Sequence, residues 1–146
     1  MLIRPVHADD SAEWLRLRQA LWHEGPVGGH VADIDAILAG TQPMGVYVVE
    51  RPDGRLGGFV EVGTRSIAEG CETSPVGYLE GWYIEADLRG QGLGAALVQA
   101  AEAWARDQGL TEMASDTWLH NDDGYRAHLA LGYSEVERVI CFRKRL

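Results

Sequence analysis

At 146 residues and 46% apolar content the chain has the size and make-up of one domain, 1–146, with its own core. Its net charge of −9 argues against nucleic acid and anionic membrane as partners. It suits a cationic substrate, although a solubilising acidic surface gives the same number. No apolar run approaches the ~20 residues of a membrane span, and Met1–Pro5 has no signal-peptide core. Neither the cysteines, Cys71 and Cys141, nor the histidines show metal-ligand spacing. The expectation is a cytoplasmic protein with two buried, reduced thiols and no metal.

Leu2-Ile3-Arg4 reads as a short first strand. Asp10 and Glu13 form a capping-box pattern, and Trp14, Leu17 and Leu21 recur at helical spacing. Trp22-His23-Glu24-Gly25-Pro26 breaks that helix, and Trp22 there either plugs the core or walls a ligand. Val31, Ile34 and Leu38 mark a second helix, closed by Gly40. Val46–Glu50 and Leu56–Arg65 read as strands joined by the turn Arg51-Pro52-Asp53-Gly54-Arg55, hence a hairpin. Ile67–Pro75 is a loop carrying Glu69 and Glu72.

Val76–Ile84 is the next strand. Gly77, Glu80 and Gly81 fit it poorly, so a bulge or a close backbone approach by a ligand is expected there. Glu80 needs a partner or a solvated cleft. Arg89-Gly90-Gln91-Gly92-Leu93-Gly94-Ala95 then turns the chain into a helix that buries Leu93, Leu97, Ala100 and Trp104, stopped by Gly109. The first amides of such a helix lack intrahelical partners and carry the positive end of its dipole. Glycines keep side chains clear of them, so the stretch reads as a pyrophosphate cradle, with Arg89 adding a fixed charge. Glu112–Thr117 is a strand with Asp116 at its C-terminal end, and Asn121–Leu131 a helix ended by Gly132. Tyr133–Glu137 and Val139–Arg145 read as two closing strands.

The cradle string fits a dinucleotide pattern, with Asp116 roughly 20 residues on as a ribose-binding acid. It also fits an acetyl-CoA site, or a glycine turn with no ligand. Element order weighs against the dinucleotide. That fold repeats βαβ units and usually begins with its cradle, whereas this chain has one such unit, mid-chain, after a helical pair and a hairpin.

Arg89-Gly90-Gln91-Gly92-Leu93-Gly94 resembles the [QR]-x-x-G-x-[GA] signature of the Gcn5-related N-acetyltransferases, and the element order resembles that fold over nearly the whole chain. Asn121, His128 and Leu131-Gly132-Tyr133 resemble the family's last helix. The departures are His128, where the family usually has a Tyr that protonates the departing thiolate, and Ala86, where Pro is common. Several blocks narrow the resemblance to small, chromosomally encoded aminoglycoside 6′-N-acetyltransferases. These are Leu79-Glu80-Gly81, Glu112–Thr117, Glu137–Ile140, Phe142–Arg145, Gly70-Cys71 and Ser74-Pro75.

The resemblance implies an α/β (α+β) acetyltransferase fold. Its mixed central sheet has about six to seven strands flanked by about four helices, with a split between the two central parallel strands. It also implies a homodimer, an acidic drug cleft and acetyl-CoA as co-substrate. The cofactor contacts it implies are Trp82, Tyr83, Ile84, Arg89, Gly90, Gln91, Gly92, Leu93, Gly94, Ala95 and Asn121.

An aminoglycoside carries several ammonium groups, so its site needs carboxylates and a flat apolar wall. Trp22, Glu80, Asp116 and Glu137 are the candidates. Each has a structural reading as well: Glu80 paired with Arg65 or Arg89, Asp116 capping the last helix, Glu137 solvated. A carboxylate must take a proton from the attacking ammonium, with Asp116 the first candidate and Glu80 the second. Backbone amides around Trp82–Ile84 are expected to hold the oxyanion. The thiolate leaves unaided or takes a proton from His128 or Tyr125. Two alternatives stay open: acetylation of another amine, such as a polyamine or peptide N-terminus, and a non-catalytic acetyl-CoA-binding regulator.

Overall fold

The computed structural model describes all 146 residues. In chain order the elements are β1 (Leu2–Pro5), α1 (Ser11–Leu21), α2 (Val27–Leu38), β2 (Gly45–Glu50), β3 (Leu56–Arg65), β4 (Val76–Ile84), α3 (Leu93–Asp107), β5 (Met113–Ser115) and α4 (Asp122–Ala130). The strands form one mixed sheet in the order β1-β2-β3-β4-β5. Neighbours are antiparallel except β4 and β5, which are parallel. The one parallel step follows from the connection, since a crossover helix, α3, joins β4 to β5. No helix is long and apolar enough to cross a membrane.

Strand alternation sorts the apolar residues between two layers. Val46, Val48 and Phe59 pack with Trp14, Leu17 and Ile34 under α1 and α2. Val49, Val60, Val62 and Leu79 pack with Leu97, Val98 and Ala101 under α3. The α3 stripe is rotated by one residue from the expected one. Leu97, Val98, Ala101 and Ala105 are buried, while Leu93 and Trp104 are only partly so. Apolar residues fill most of this helix, so spacing alone leaves its phase open.

The register of β3 against β4 skips one residue. Glu61 pairs with Gly81, but the next residue, Val62, pairs with Leu79. Glu80 is thus the extra residue of a β-bulge, which is what the poor strand residues foreshadowed. The bulge reverses the alternation. Leu79 lies in the α3 core, whereas Gly81, two residues on, lies against Trp22 on the α1 side.

Four expectations need correction. The sheet has five strands, not six to seven, so β5 is an edge strand and the β4–β5 pair lies at one side of the sheet rather than its centre. Residues 133–146 form no strand and leave the free side of β5 unpaired. Asp10 does not cap α1 with its side chain. Its carboxylate accepts from the His7 amide (2.7 Å) and pairs with Arg4 (2.7 Å), while Glu13 accepts from Arg16 (3.0 Å) and the Leu56 amide (3.2 Å). The thiols are not both buried: Cys71 is half-buried and Cys141, in the tail, is exposed.

Candidate active site

The β4–β5 ladder is short. It pairs Gly77 with Met113, Tyr78 with Ala114 and Leu79 with Ser115, and there it stops, while β4 runs on to Ile84. A gap therefore opens beside the last five residues of β4. The Glu85 amide donates to the Gly57 carbonyl at 2.9 Å. Strand alternation then turns the amides of Trp82 and Ile84 away from β3, toward that gap.

The glycine-rich turn lies at the far end of β4. Gly90 and Gly92 have φ of +73° and +78°, a region that costs other residues strain, and no atom lies within 4 Å of where either Cβ would be. Gly92 is the N-cap of α3, and the first helical bond runs from the Ala96 amide to its carbonyl at 3.0 Å. The amides of Leu93, Gly94 and Ala95 lie ahead of that bond, free for an anion. Arg89 Nε donates to the Ile84 carbonyl (3.0 Å) and Gln91 Nε2 to the Asp87 carbonyl (3.1 Å), which fix the turn against the strand end. Trp82 packs beneath Gly94, where an added Cβ would stand 3.1 Å from its ring, and its buried Nε1 has no hydrogen-bond partner.

On the opposite face of the sheet is a cleft of about 600 Å³ whose lining includes Trp22, Asp33, Glu61, Arg65, Glu80 and Asp116. Gly81 admits Trp22: a Cβ there would stand 2.5 Å from the indole. The ring is stacked on His30 (6.1 Å) and set edge-on to Phe59 (6.0 Å), so Trp22 is both a core plug and a wall. Glu80 takes a two-pronged ion pair from Arg65 at 2.9 and 2.7 Å, and the partner is Arg65 rather than Arg89. Asp116, the first residue after β5, caps nothing; its Oδ2 accepts from Tyr78 Oη at 2.5 Å. Burial, and then the hydrogen bond to Asp116, push the Tyr78 phenol well above its usual range, so Tyr78 stays a donor. Arg65 also lies 3.5 Å over the Tyr78 ring.

His128 lies on the α3 side of the gap. Its Nδ1 is 2.6 Å from the Gly124 carbonyl, which only accepts, so Nδ1 carries hydrogen. In the neutral ring Nε2 then accepts from Ser115 Oγ at 2.7 Å. The imidazole is edge-on to Trp82 (5.5 Å) and Tyr133 (5.8 Å). Asn121 is the N-cap of α4: it accepts from the Gly124 amide (3.0 Å) and donates to Thr117 Oγ1 (3.1 Å). Tyr125 donates to Glu135 at 3.0 Å.

The fold thus gathers Trp22, Glu80 and Asp116 in one cleft and places Glu137 outside it, in the exposed tail. Sequence reasoning missed Tyr78, Ser115, Arg18 and Glu61. The available signal for Glu61 was a carboxylate between Val60 and Val62 in an otherwise apolar run.

Residues 12–133 match the acetyltransferase (GNAT) family. The aminoglycoside N(6′)-acetyltransferase type 1 of Klebsiella aerogenes is 48% identical over 147 residues, covering 99% of this chain and 97% of its own. Among solved structures, AAC(6′)-Iy in complex with the bisubstrate analogue CoA-S-monomethyl-acetylneamine aligns with a TM-score of 0.91 at 35% identity, covering 99% of this chain and 98% of that one. The same protein in complex with CoA aligns with a TM-score of 0.91 at 35% identity, covering 99% and 95%.

Proposed function

This chain belongs to the GNAT family of acetyltransferases, and we propose that it is an aminoglycoside 6′-N-acetyltransferase: a single domain that transfers the acetyl group of acetyl-CoA to the drug's 6′-amine. One observation carries the reading beyond the likeness to its relatives. The carboxylate-lined cleft on one face and the glycine cradle on the other both open on the gap beside β4.

Acetyl-CoA supplies an activated thioester. The cradle from Arg89 to Ala95 holds its pyrophosphate by free amides and a cation, and Trp82, Tyr83 and Ile84 line its path along β4. Asn121 orders the start of α4 beside it. On the drug side, Trp22 packs a sugar ring and the carboxylates of the cleft receive ammonium groups. Asp116 Oδ1, the oxygen not engaged by Tyr78, takes the proton from the attacking amine, with Glu80 second in line. The outward amides of Trp82 and Ile84 stabilise the developing oxyanion. No side chain is acylated.

The homodimer belongs to the same proposal. Val136, Val139, Ile140 and Phe142 are 62%, 60%, 80% and 92% exposed in a tail with no strand partner, and β5 is an edge strand with a free side. A second copy is the partner that would cover both. Sedimentation of the protein at micromolar concentration checks this, and a monomer there would remove it. The function is tested by calorimetric titration with acetyl-CoA, then thiol release with a panel of amines. Release with spermidine or a peptide but not with aminoglycosides would select the other-amine alternative. Cofactor binding with no release from any amine would select the silent regulator.

A further inference from the structure

Glu61 is 1% exposed, yet it is part of the wall of the cleft that holds Glu80 and Asp116. Its strand neighbours Val60 and Val62 belong to the α3 core, whereas Glu61 points to α1. There Trp14 Nε1 donates to Oε1 at 2.8 Å, and Arg18 Nε lies 3.3 Å from the same oxygen without hydrogen-bond alignment. Arg18 is otherwise spent on Asp33 (3.1 Å), the His30 carbonyl (3.4 Å) and the face of Trp22 (5.0 Å). Oε2 of Glu61 has no hydrogen-bond partner in the protein.

A carboxylate is a poor choice if the role is only to hold Trp14. A neutral amide would accept the same bond without burying a charge. The other three acids of the cleft are committed differently, with both Glu80 oxygens on Arg65, one Asp116 oxygen on Tyr78 and one oxygen of the half-exposed Asp33 on Arg18. What remains is a buried acid with an oxygen to spare beside open space. We propose that Glu61 is a substrate-binding residue, the floor carboxylate of the cleft, which receives an ammonium group of the polycationic substrate on its unpartnered oxygen. The proposal rests on the aminoglycoside reading above.

Burial pushes the Glu61 carboxyl up to about 7; the Arg18 charge and the Trp14 N–H oppose this, and Asp33 and Glu80 push the same way as burial. Arg65 and Asp116 complete the charged groups of the cleft. Near neutral pH the empty site is therefore partly protonated. An arriving ammonium favours the carboxylate, so binding expels a proton from Glu61.

The test is calorimetric titration of neomycin at pH 7 in two buffers of different ionisation enthalpy, comparing wild type with Glu61→Gln. The variant should bind neomycin roughly tenfold or more weakly, the scale of a lost charge-assisted hydrogen bond. It should also release about half a proton fewer per drug bound, since a carboxyl titrating at the working pH is half ionised. The neomycin KM should rise more than kcat falls. Acetyl-CoA affinity should stay within about twofold, because the cradle lies across the sheet. Equal drug affinity and equal proton release in the two proteins would overturn the proposal. A wild type that binds acetyl-CoA but no neomycin would instead overturn the aminoglycoside reading, and Glu61 with it. If Glu61→Gln does not fold, Glu61→Asp carries the test: it keeps the charge but withdraws the oxygen by one methylene, and wild-type neomycin affinity in that variant would overturn the assignment.

Discussion

Tyr78 Oη donates to Asp116 Oδ2 at 2.5 Å, tying the β4 strand to the residue that leaves β5 where the ladder ends. The phenol is held in its protonated form by burial and by the carboxylate it serves. One Asp116 oxygen is thereby fixed in place and the other is left for a proton. That is the arrangement expected of a base whose position is set by a neighbour rather than by its own backbone.

Asp116→Asn should therefore lower kcat by about 100- to 10,000-fold, the range of a general base. The amide still accepts from Tyr78, so the fold and the acetyl-CoA affinity should be kept. Stopped-assay thiol release and a cofactor titration on one preparation give both numbers. Near wild-type turnover would remove Asp116 from the chemistry.

Gly92→Val acts at the other end of β4. With φ at +78° and open space around it, Gly92 is needed for conformation and for clear approach to the α3 amides, not for packing. Any other residue there costs about 1–2 kcal/mol of backbone strain, more for a β-branched one, and valine also projects into the anion path. The folded variant should lose at least about tenfold in acetyl-CoA affinity and little in neomycin affinity. Unchanged cofactor affinity would show that the cradle has been misplaced.

His128 stands where the family resemblance leads one to expect a tyrosine. Its Nδ1 is committed to the Gly124 carbonyl and its Nε2 to Ser115, so the neutral ring has no hydrogen left to give a thiolate. A coenzyme A thiolate, with an ordinary thiol pKa near 8.5, is already a fair leaving group. His128→Phe keeps the edge-on packing against Trp82 and Tyr133 and should cost no more than about tenfold in kcat. A loss in the general-acid range of about 100-fold or more would assign the donor role to His128.

How far the sequence reveals this site depends on how local the constraint is. The strand, glycine turn and helix from Val76 to Asp107 were legible because each is written in adjacent residues: a β-branched and aromatic run, glycines at positive φ, then an amphipathic repeat. The bulge at Glu80 was foreshadowed by Gly81 beside it. Glu61 was not legible, because a charge between two valines reads as a residue facing water. That inference fails in a sheet covered on both faces, where alternation selects between two buried layers. The tail misled for a different reason. Val139 to Arg145 has strand-like residues, but a strand exists only with a partner, and local pattern does not encode whether the tail reaches the free side of β5, which here it does not.

Regiochemistry gives the sharpest test of the proposed function. Neomycin has an amine at the 6′ carbon and paromomycin a hydroxyl, while the other amines and most of the charge are shared. The cleft sets four carboxylates, Asp33, Glu61, Glu80 and Asp116, against the guanidinium groups of Arg18 and Arg65, so both drugs should bind. Neomycin should release coenzyme A thiol steadily. Paromomycin should inhibit that reaction and release almost none, because an alcohol is far too weak an acid for a carboxylate such as Asp116 to deprotonate. The amines it does carry stay silent because only the group placed at the gap beside β4 reacts; placement alone is worth several orders of magnitude. Equal thiol release from both drugs would move the reacting amine to another ring position. No release from either, in a protein that binds acetyl-CoA, would return the chain to the other-amine or regulatory reading.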